Sequence, residues 1–169
     1  DLNPDDILAQ YRDWHDISYW PRSNRETELH HSDIRHQKDP LSKSGWIGAF
    51  CRAYTIQEAI ETFIPEEYTP TEDPNRWTYA NGSTAGGLVI YDDKYAYSNH
   101  NTDPTGQQLC NAYDLVRIHK WPDDSASTER MLELMAHDEG TRKQLIVDKK
   151  EHIHEDWDDF KDDTARGSQ

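Results

Sequence analysis

Cysteine is nearly missing from this sequence: Cys51 and Cys110 are the only two in 169 residues. That count excludes a disulfide framework and suits a reduced, cytoplasmic chain. Apolar residues are scarce too, at 34% against 30% charged, and the mean hydropathy is -1.08. A small core with long solvated segments follows. There is no run of eighteen apolar residues, no signal-peptide pattern and no lipidation motif, so we expect no membrane partner. Cations are few: 18 Lys and Arg stand against 33 Asp and Glu, a net charge of -15. An autonomous DNA binder needs clustered cations for phosphate, and this chain lacks them. HExxH, CxxC and Walker A patterns are all absent, and with them the usual zinc and nucleotide sites. We therefore expect no cofactor, no metal and no catalytic residue.

The charge is unevenly spread. Residues 1–75 carry 15 acids against 7 Lys plus Arg, and residues 122–169 carry 14 against 7. Residues 76–121 carry 4 against 4, so only the centre does not repel a polyanion on average. Six Trp and nine Tyr partly make up for the missing aliphatics, since each buries a large area and can keep a polar tip wet.

Three regions can be read: 1–45, an N-terminal helix and polar linker; 46–121, a central α+β module; and 122–169, an acidic helical arm. In the first, Asn3-Pro4 starts a helix that carries Ile7, Tyr11 and Trp14 at helical spacing. Residues 22–44 are almost wholly polar and read as a linker. The chain starts at Asp1 within helical sequence, which reads as a piece of a longer polypeptide. In the centre, Trp46 to Tyr54 is apolar and should pack. Thr55 with Glu58 is a capping box for a helix over 55–64. The Gly-rich stretch 82–87 is a loop. Leu88–Tyr91 and Lys94–Ser98 form a hairpin, 88–98, turning at Asp92-Asp93. Asn111 caps a helix over 111–120 with Ala112, Leu115 and Val116 on one face. Beyond Pro122, residues 125–137 form a helix with Leu132, Met135 and Ala136 inward. Gly140 interrupts, and a second helix from Thr141 carries Ile146, Ile153, Trp157 and Phe160. The fold expected is α+β: a small antiparallel hairpin or ribbon unit packed on helices.

Several constellations could carry chemistry. Residues 82–87 precede a strand and lack the Lys-Ser/Thr of a phosphate loop, so they read as a flexible loop. His30, His31, His36 and Asp33 cluster in the linker, and His152 and His154 flank Glu155, but residues two apart point to different faces of a helix. A metal-dependent enzyme built on that His-rich linker is the remotest reading. Cys51 beside Arg52 has a cation to lower its pKa, yet its apolar neighbours argue for packing. Nucleic-acid contact is the best functional reading. Trp77, Tyr79, Tyr95 and Tyr97, with Arg76, Lys94, Arg117 and Lys120 nearby, offer stacking faces and phosphate partners for single strands. The competing reading makes the same aromatics the core of a short sheet, which must bury something.

Two segments, SGWIGAFCRAYTIQEAIETFIPEEY and STAGGLVIYDDKYAYSNHNTDPTGQQLCNAYDLVRIHK, resemble a region of phage and prophage primase–helicase proteins of the virulence-associated E family. WPRSNRETE and KDPLSKSG fit the same pattern. The resemblance spans roughly residues 4–121 and, more loosely, the acidic helices after it. In that family a primase–polymerase domain lies upstream and a P-loop helicase domain downstream. The resemblance implies the piece between them, with neither active site present. The expected function is then a non-catalytic linker or accessory module of a mobile-element DNA replication protein. Its partners would be weakly bound single-stranded DNA and the adjacent primase and helicase domains. The central unit also resembles the zinc ribbon of bacterial primases, with Tyr79, Gly82, Tyr97 and His100 at the four ligand positions. Three of these cannot bind zinc, which implies a degenerate ribbon. The alternative function is a stand-alone acidic module that binds a basic protein.

Overall fold

A computed structural model describes residue 34 and residues 37–166, with side chains described as far as Ile153. The helix expected over 4–15, most of the polar linker and the cluster of His30, His31, Asp33 and His36 lie outside the described residues. The expected α+β class is what the chain adopts. Five helices, α1 (Gly45–Ala53), α2 (Ile56–Phe63), α3 (Ala112–Lys120), α4 (Ser127–His137) and α5 (Glu139–Arg166), accompany a five-stranded antiparallel sheet. The strands are β1 (Tyr68–Pro70), β2 (Arg76–Tyr79), β3 (Leu88–Tyr91), β4 (Tyr95–Ser98) and β5 (Leu109–Cys110), paired in chain order.

The hairpin expected over 88–98 is β3 and β4. Asp92 and Asp93 have φ of 52° and 53°, and the Lys94 N–H returns to the Tyr91 carbonyl at 3.0 Å. Two consecutive positive φ values mark a type I′ turn, whose twist matches that of the strands. The sheet is larger than the hairpin. Strands β1, β2 and β5 are only two to four residues long, too short to show an alternation of their own.

Alternation sorts the sheet into two faces. Tyr68, Trp77, Tyr79, Leu88, Ile90, Ala96 and Cys110 join one core with Phe50, Ile56, Ile60, Leu115, Val116, Met131 and Met135 of the helices. The other face carries a row across four strands, Arg76–Val89–Tyr97–Leu109, with Tyr95 beside it. The competing reading of the central aromatics as core therefore holds for Trp77 and Tyr79, which are each 5% exposed.

Local chemistry fixes the helix starts. Thr55 and Glu58 form the expected capping box, with the Glu58 N–H at 3.2 Å from Thr55 Oγ1 and the Thr55 N–H at 2.9 Å from Glu58 Oε2. The Asp114 N–H donates to the Asn111 side chain at 2.9 Å. Asp138 does the same for α5, accepting from the Thr141 N–H and hydroxyl, each at 2.7 Å. It also accepts the Tyr54 hydroxyl at 2.9 Å. Burial and then that carboxylate push the Tyr54 phenol up to about 12.

Two expectations about the C-terminal arm are corrected. Gly140 does not interrupt: it lies in the first turn of α5, against the Tyr54 ring. The inward set also differs. Met131 and Met135 anchor α4, while Leu132 is 44% exposed. On α5 the inner face is Thr141, Gln144, Leu145 and Asp148, while Ile146 is exposed and Ile153, also exposed, borders the groove between this helix and residues 41–45. That helix is held to α1 by a polar clamp. The Arg52 guanidinium pairs with Asp148 at 2.5 Å and donates to the carbonyls of Leu41 and Lys43 at 2.6 and 2.8 Å. An apolar pattern alone does not reveal a face chosen by an ion pair.

Candidate functional site

The densest chemistry in the described chain is a polar cluster inside the core. Tyr68 of β1 donates its hydroxyl to Asp103 Oδ2 at 2.6 Å. Thr105 donates to Asp103 Oδ1 twice, from its backbone N–H at 2.8 Å and its hydroxyl at 2.7 Å. His119 of α3 places Nε2 at 2.7 Å from the Tyr68 oxygen and 3.2 Å from Asp103 Oδ1. The side chains of Asp103 and His119 are 0% and 1% exposed. An edge strand, the β4–β5 connection and α3 thus meet at one carboxylate.

Counting hydrogens assigns the tautomer. The single hydroxyl hydrogens of Tyr68 and Thr105 are both committed to Asp103, so both oxygens can only accept from His119. His119 must carry its proton on Nε2. Its Nδ1 has no hydrogen-bond partner among the described residues and lies 3.7 Å from Glu67 Oε2. Burial raises the Asp103 carboxyl, but hydrogen bonds from His119, Tyr68, Ser98 and Thr105 together outweigh it and hold it well below the usual carboxylate range. Burial, then the Asp103 charge, pushes the Tyr68 phenol far above its ordinary value. Asp103 is thus held ionised and Tyr68 protonated, both far from neutrality, where a general acid or base works best.

A second histidine sits beside the first. The His100 ring packs between Gly82 and Gly87, where a Cβ on Gly82 would come within 2.8 Å of it. It lies 6.2 Å from the Tyr79 ring, which in turn lies 6.0 Å from His119. Glycine at 82 and 87 therefore makes room for an imidazole. Three of the four positions compared with a zinc ribbon, Tyr79, Gly82 and His100, do come together. Tyr97 is on the opposite face of the sheet, with its hydroxyl on Gln107 at 2.9 Å. No group of three or more His, Cys, Asp or Glu among the described residues could hold a metal ion. Both cysteines are free and buried. Burial raises both thiols, that of Cys110 to about 12, which removes the nucleophile expected of a reactive cysteine.

The eight residues expected to touch nucleic acid are divided by the fold. Trp77, Tyr79 and Tyr95 are 5%, 5% and 3% exposed and offer no stacking face as placed. Tyr97 is half-buried. Arg76 is buried, donates to the Gly86 carbonyl at 2.9 Å and faces Asp73 at 3.8 Å. Lys94 pairs with Asp39 at 2.9 Å. Arg117 pairs with Asp114 at 3.3 Å, donates to Ser127 at 3.0 Å and lies over the Tyr113 ring. Lys120 is exposed at the end of α3. A groove of about 700 Å³ opens elsewhere, between residues 41–45 and α5, and none of the polar cluster lines it.

The cluster itself was missed from sequence. Asp103 and Thr105 sit in Asp103-Pro104-Thr105-Gly106 and read as turn formers. His119 had a usable signal: it follows Leu115 by four and Val116 by three, on the face already assigned to the core.

These features define the class: an α+β domain built on a meandering sheet with an internal polar lock. The chain matches no protein-family model, no curated protein and no solved structure. Among the described residues no helix is long and apolar enough to cross a membrane.

Proposed function

We propose that this chain is a non-catalytic linker and accessory module of a mobile-element DNA replication protein of the primase–helicase kind. It positions neighbouring domains and makes at most weak contact with single-stranded template. The resemblance of residues 4–121 to that family motivates the reading. The observation that carries it is neutralisation: Arg76, Lys94 and Arg117 each face a carboxylate, and Trp77, Tyr79 and Tyr95 are packed inside. Phosphate would have to compete with an intramolecular ion pair at each of the three, which suits a scaffold better than an independent binder. The closed cluster around Asp103 supports the absence of catalysis, since a substrate has no path to it through the groove described.

Two measurements test the reading. Sequencing the coding locus should find this segment between a primase-type carboxylate motif and a Walker A motif in one reading frame. A free-standing gene for this chain alone overturns the linker role. Titration of labelled DNA should give single-strand binding no tighter than about 10⁻⁴–10⁻⁶ M, the ordinary non-specific range, weakened by Tyr97→Ala with Lys120→Ala. Tight or duplex-preferring binding overturns the weak-contact role. Trp77→Ala is a poor probe because it removes core.

A further inference from the structure

Asn81-Gly82 is the only Asn-Gly pair in the chain; the six other asparagines precede residues that carry a side chain. The fold sets both members of the pair. Asn81 is exposed in the turn that leaves β2, a place that suits asparagine. Gly82 is there because the His100 ring leaves no room: a Cβ would lie 2.8 Å from its Cε1. A following residue without a Cβ is what lets an asparagine side chain reach the next backbone nitrogen.

The turn restrains that nitrogen. The Gly82 N–H donates to the Tyr79 carbonyl at 3.0 Å, and the Ala80 N–H before it donates to the Glu67 carbonyl at 2.8 Å. After it, the Gly86 N–H donates to Thr78 Oγ1 at 2.9 Å. His100 sits in the middle, between Gly82 and Gly87, with Nδ1 3.5 Å from Thr84 Oγ1. Its Nε2 is buried without a hydrogen-bond partner among the described residues, so packing holds the ring more than hydrogen bonding does.

We propose that Asn81-Gly82 is a site of spontaneous covalent modification, at a rate set by opening of the turn that His100 fills. Hydroxide removes the Gly82 amide proton, and the nitrogen attacks Asn81 Cγ. The new C–N bond closes a succinimide as ammonia leaves, taking a proton back from water. Water then opens the ring at Cγ to give aspartate, or at the main-chain carbonyl to give isoaspartate. No other reactant is needed. The bond to the Tyr79 carbonyl must break first, because its donor is the nucleophile. The two products differ in consequence. Aspartate adds a charge at an exposed position. Isoaspartate lengthens the main chain by a carbon beside Gly82, where the ring already excludes a methyl. This inference is independent of the DNA-replication reading.

Incubation of the full chain for several weeks at physiological pH and temperature, followed by mass spectrometry, tests it. The tryptic peptide Trp77–Lys94 holds Asn81 as its only asparagine. It should gain one mass unit before any other asparagine reacts, and become a substrate for isoaspartyl methyltransferase. Asn81→Gln should abolish both signals. The chain in urea should react at least about tenfold faster than the folded chain. His100→Ala, with its circular dichroism retained, should close most of that gap. The rate should follow hydrogen exchange of the Gly82 amide, which reports the same opening without the chemistry. The native chain at graded urea concentrations supplies that comparison if His100→Ala does not fold. An unmodified Trp77–Lys94 peptide in the folded chain overturns the proposal. So does earlier reaction at another asparagine, an equal rate in folded and unfolded chains, or a rate that does not follow Gly82 exchange.

Discussion

Asp103 is the residue on which the most other residues depend. Four side chains donate to it. Removing it leaves the buried Tyr68 and Thr105 hydroxyl hydrogens and the Thr105 N–H without their acceptor. Asp103→Ala should therefore cost about 3–5 kcal/mol, a large part of a typical folding free energy of about 5–15 kcal/mol. Urea denaturation followed by circular dichroism measures it, and a loss below about 1 kcal/mol would contradict the assignment. Tyr68→Phe is milder, since His119 Nε2 still lies 3.2 Å from Asp103. A loss of about 1–2 kcal/mol is expected, with the fold retained.

The pH dependence has a definite sign. The folded-state pKa of Asp103 is depressed, so its contribution is fully present above the unfolded value of about 3.9. It is lost as pH falls through the folded-state value. Stability of the native chain should decline on acidification below about pH 5. Asp103→Asn should flatten that part of the profile while being less stable at neutral pH. A variant whose acid profile parallels the native one would show that another carboxylate dominates.

At the scale of elements, the β3–β4 turn can be improved. Asp tolerates positive φ better than most residues but less well than glycine. Replacing Asp92-Asp93 with Asn-Gly, the preferred type I′ pair, should raise stability by about 0.5–1 kcal/mol. The Ile56 N–H to Asp93 carbonyl bond at 3.2 Å survives the change because it uses backbone only. A fall in thermal midpoint would mean that an Asp side chain matters there. Gly87→Ala should go the other way, because its methyl would drive into the His100 ring. A cost of about 1–3 kcal/mol is expected.

The same scale explains what could be read from sequence. The α2 capping box, the Asn111 cap and the β3–β4 hairpin are local signals, carried by side chains within four residues of the backbone they organise. All three were legible. The short strands, the Asp103 cluster and the exposure of Ile146 and Ile153 were not. Tyr68 and Asp103 are 35 residues apart and Arg52 and Asp148 are 96 apart, so their pairing exists only once the chain is folded. The candidate nucleic-acid residues were a chemical inventory. Alternation then put Trp77 on the helix-covered face of the sheet and Arg76 on the other, where it is nonetheless buried, a division that depends on knowing which face α3 covers.

At the scale of the whole molecule, the order of the strands has a kinetic consequence. Each strand pairs with the next one along the chain, so the sheet can zip from the β3–β4 hairpin with short loops to close at each step. Helix α5 belongs to a different regime. Its clamp to Arg52 closes a loop of 96 residues. Its docked face is polar, with Asp148 and Gln144 where a core helix would have aliphatics. Such an element is set last and released first. Native-state hydrogen exchange should show amides of 141–150 opening at lower free energy than those of β3 and α3, with Arg52→Ala lowering the first set alone. Because the strands pair only with one another, release of α5 would leave the sheet closed, and the molecule can open at one end without unfolding at the other.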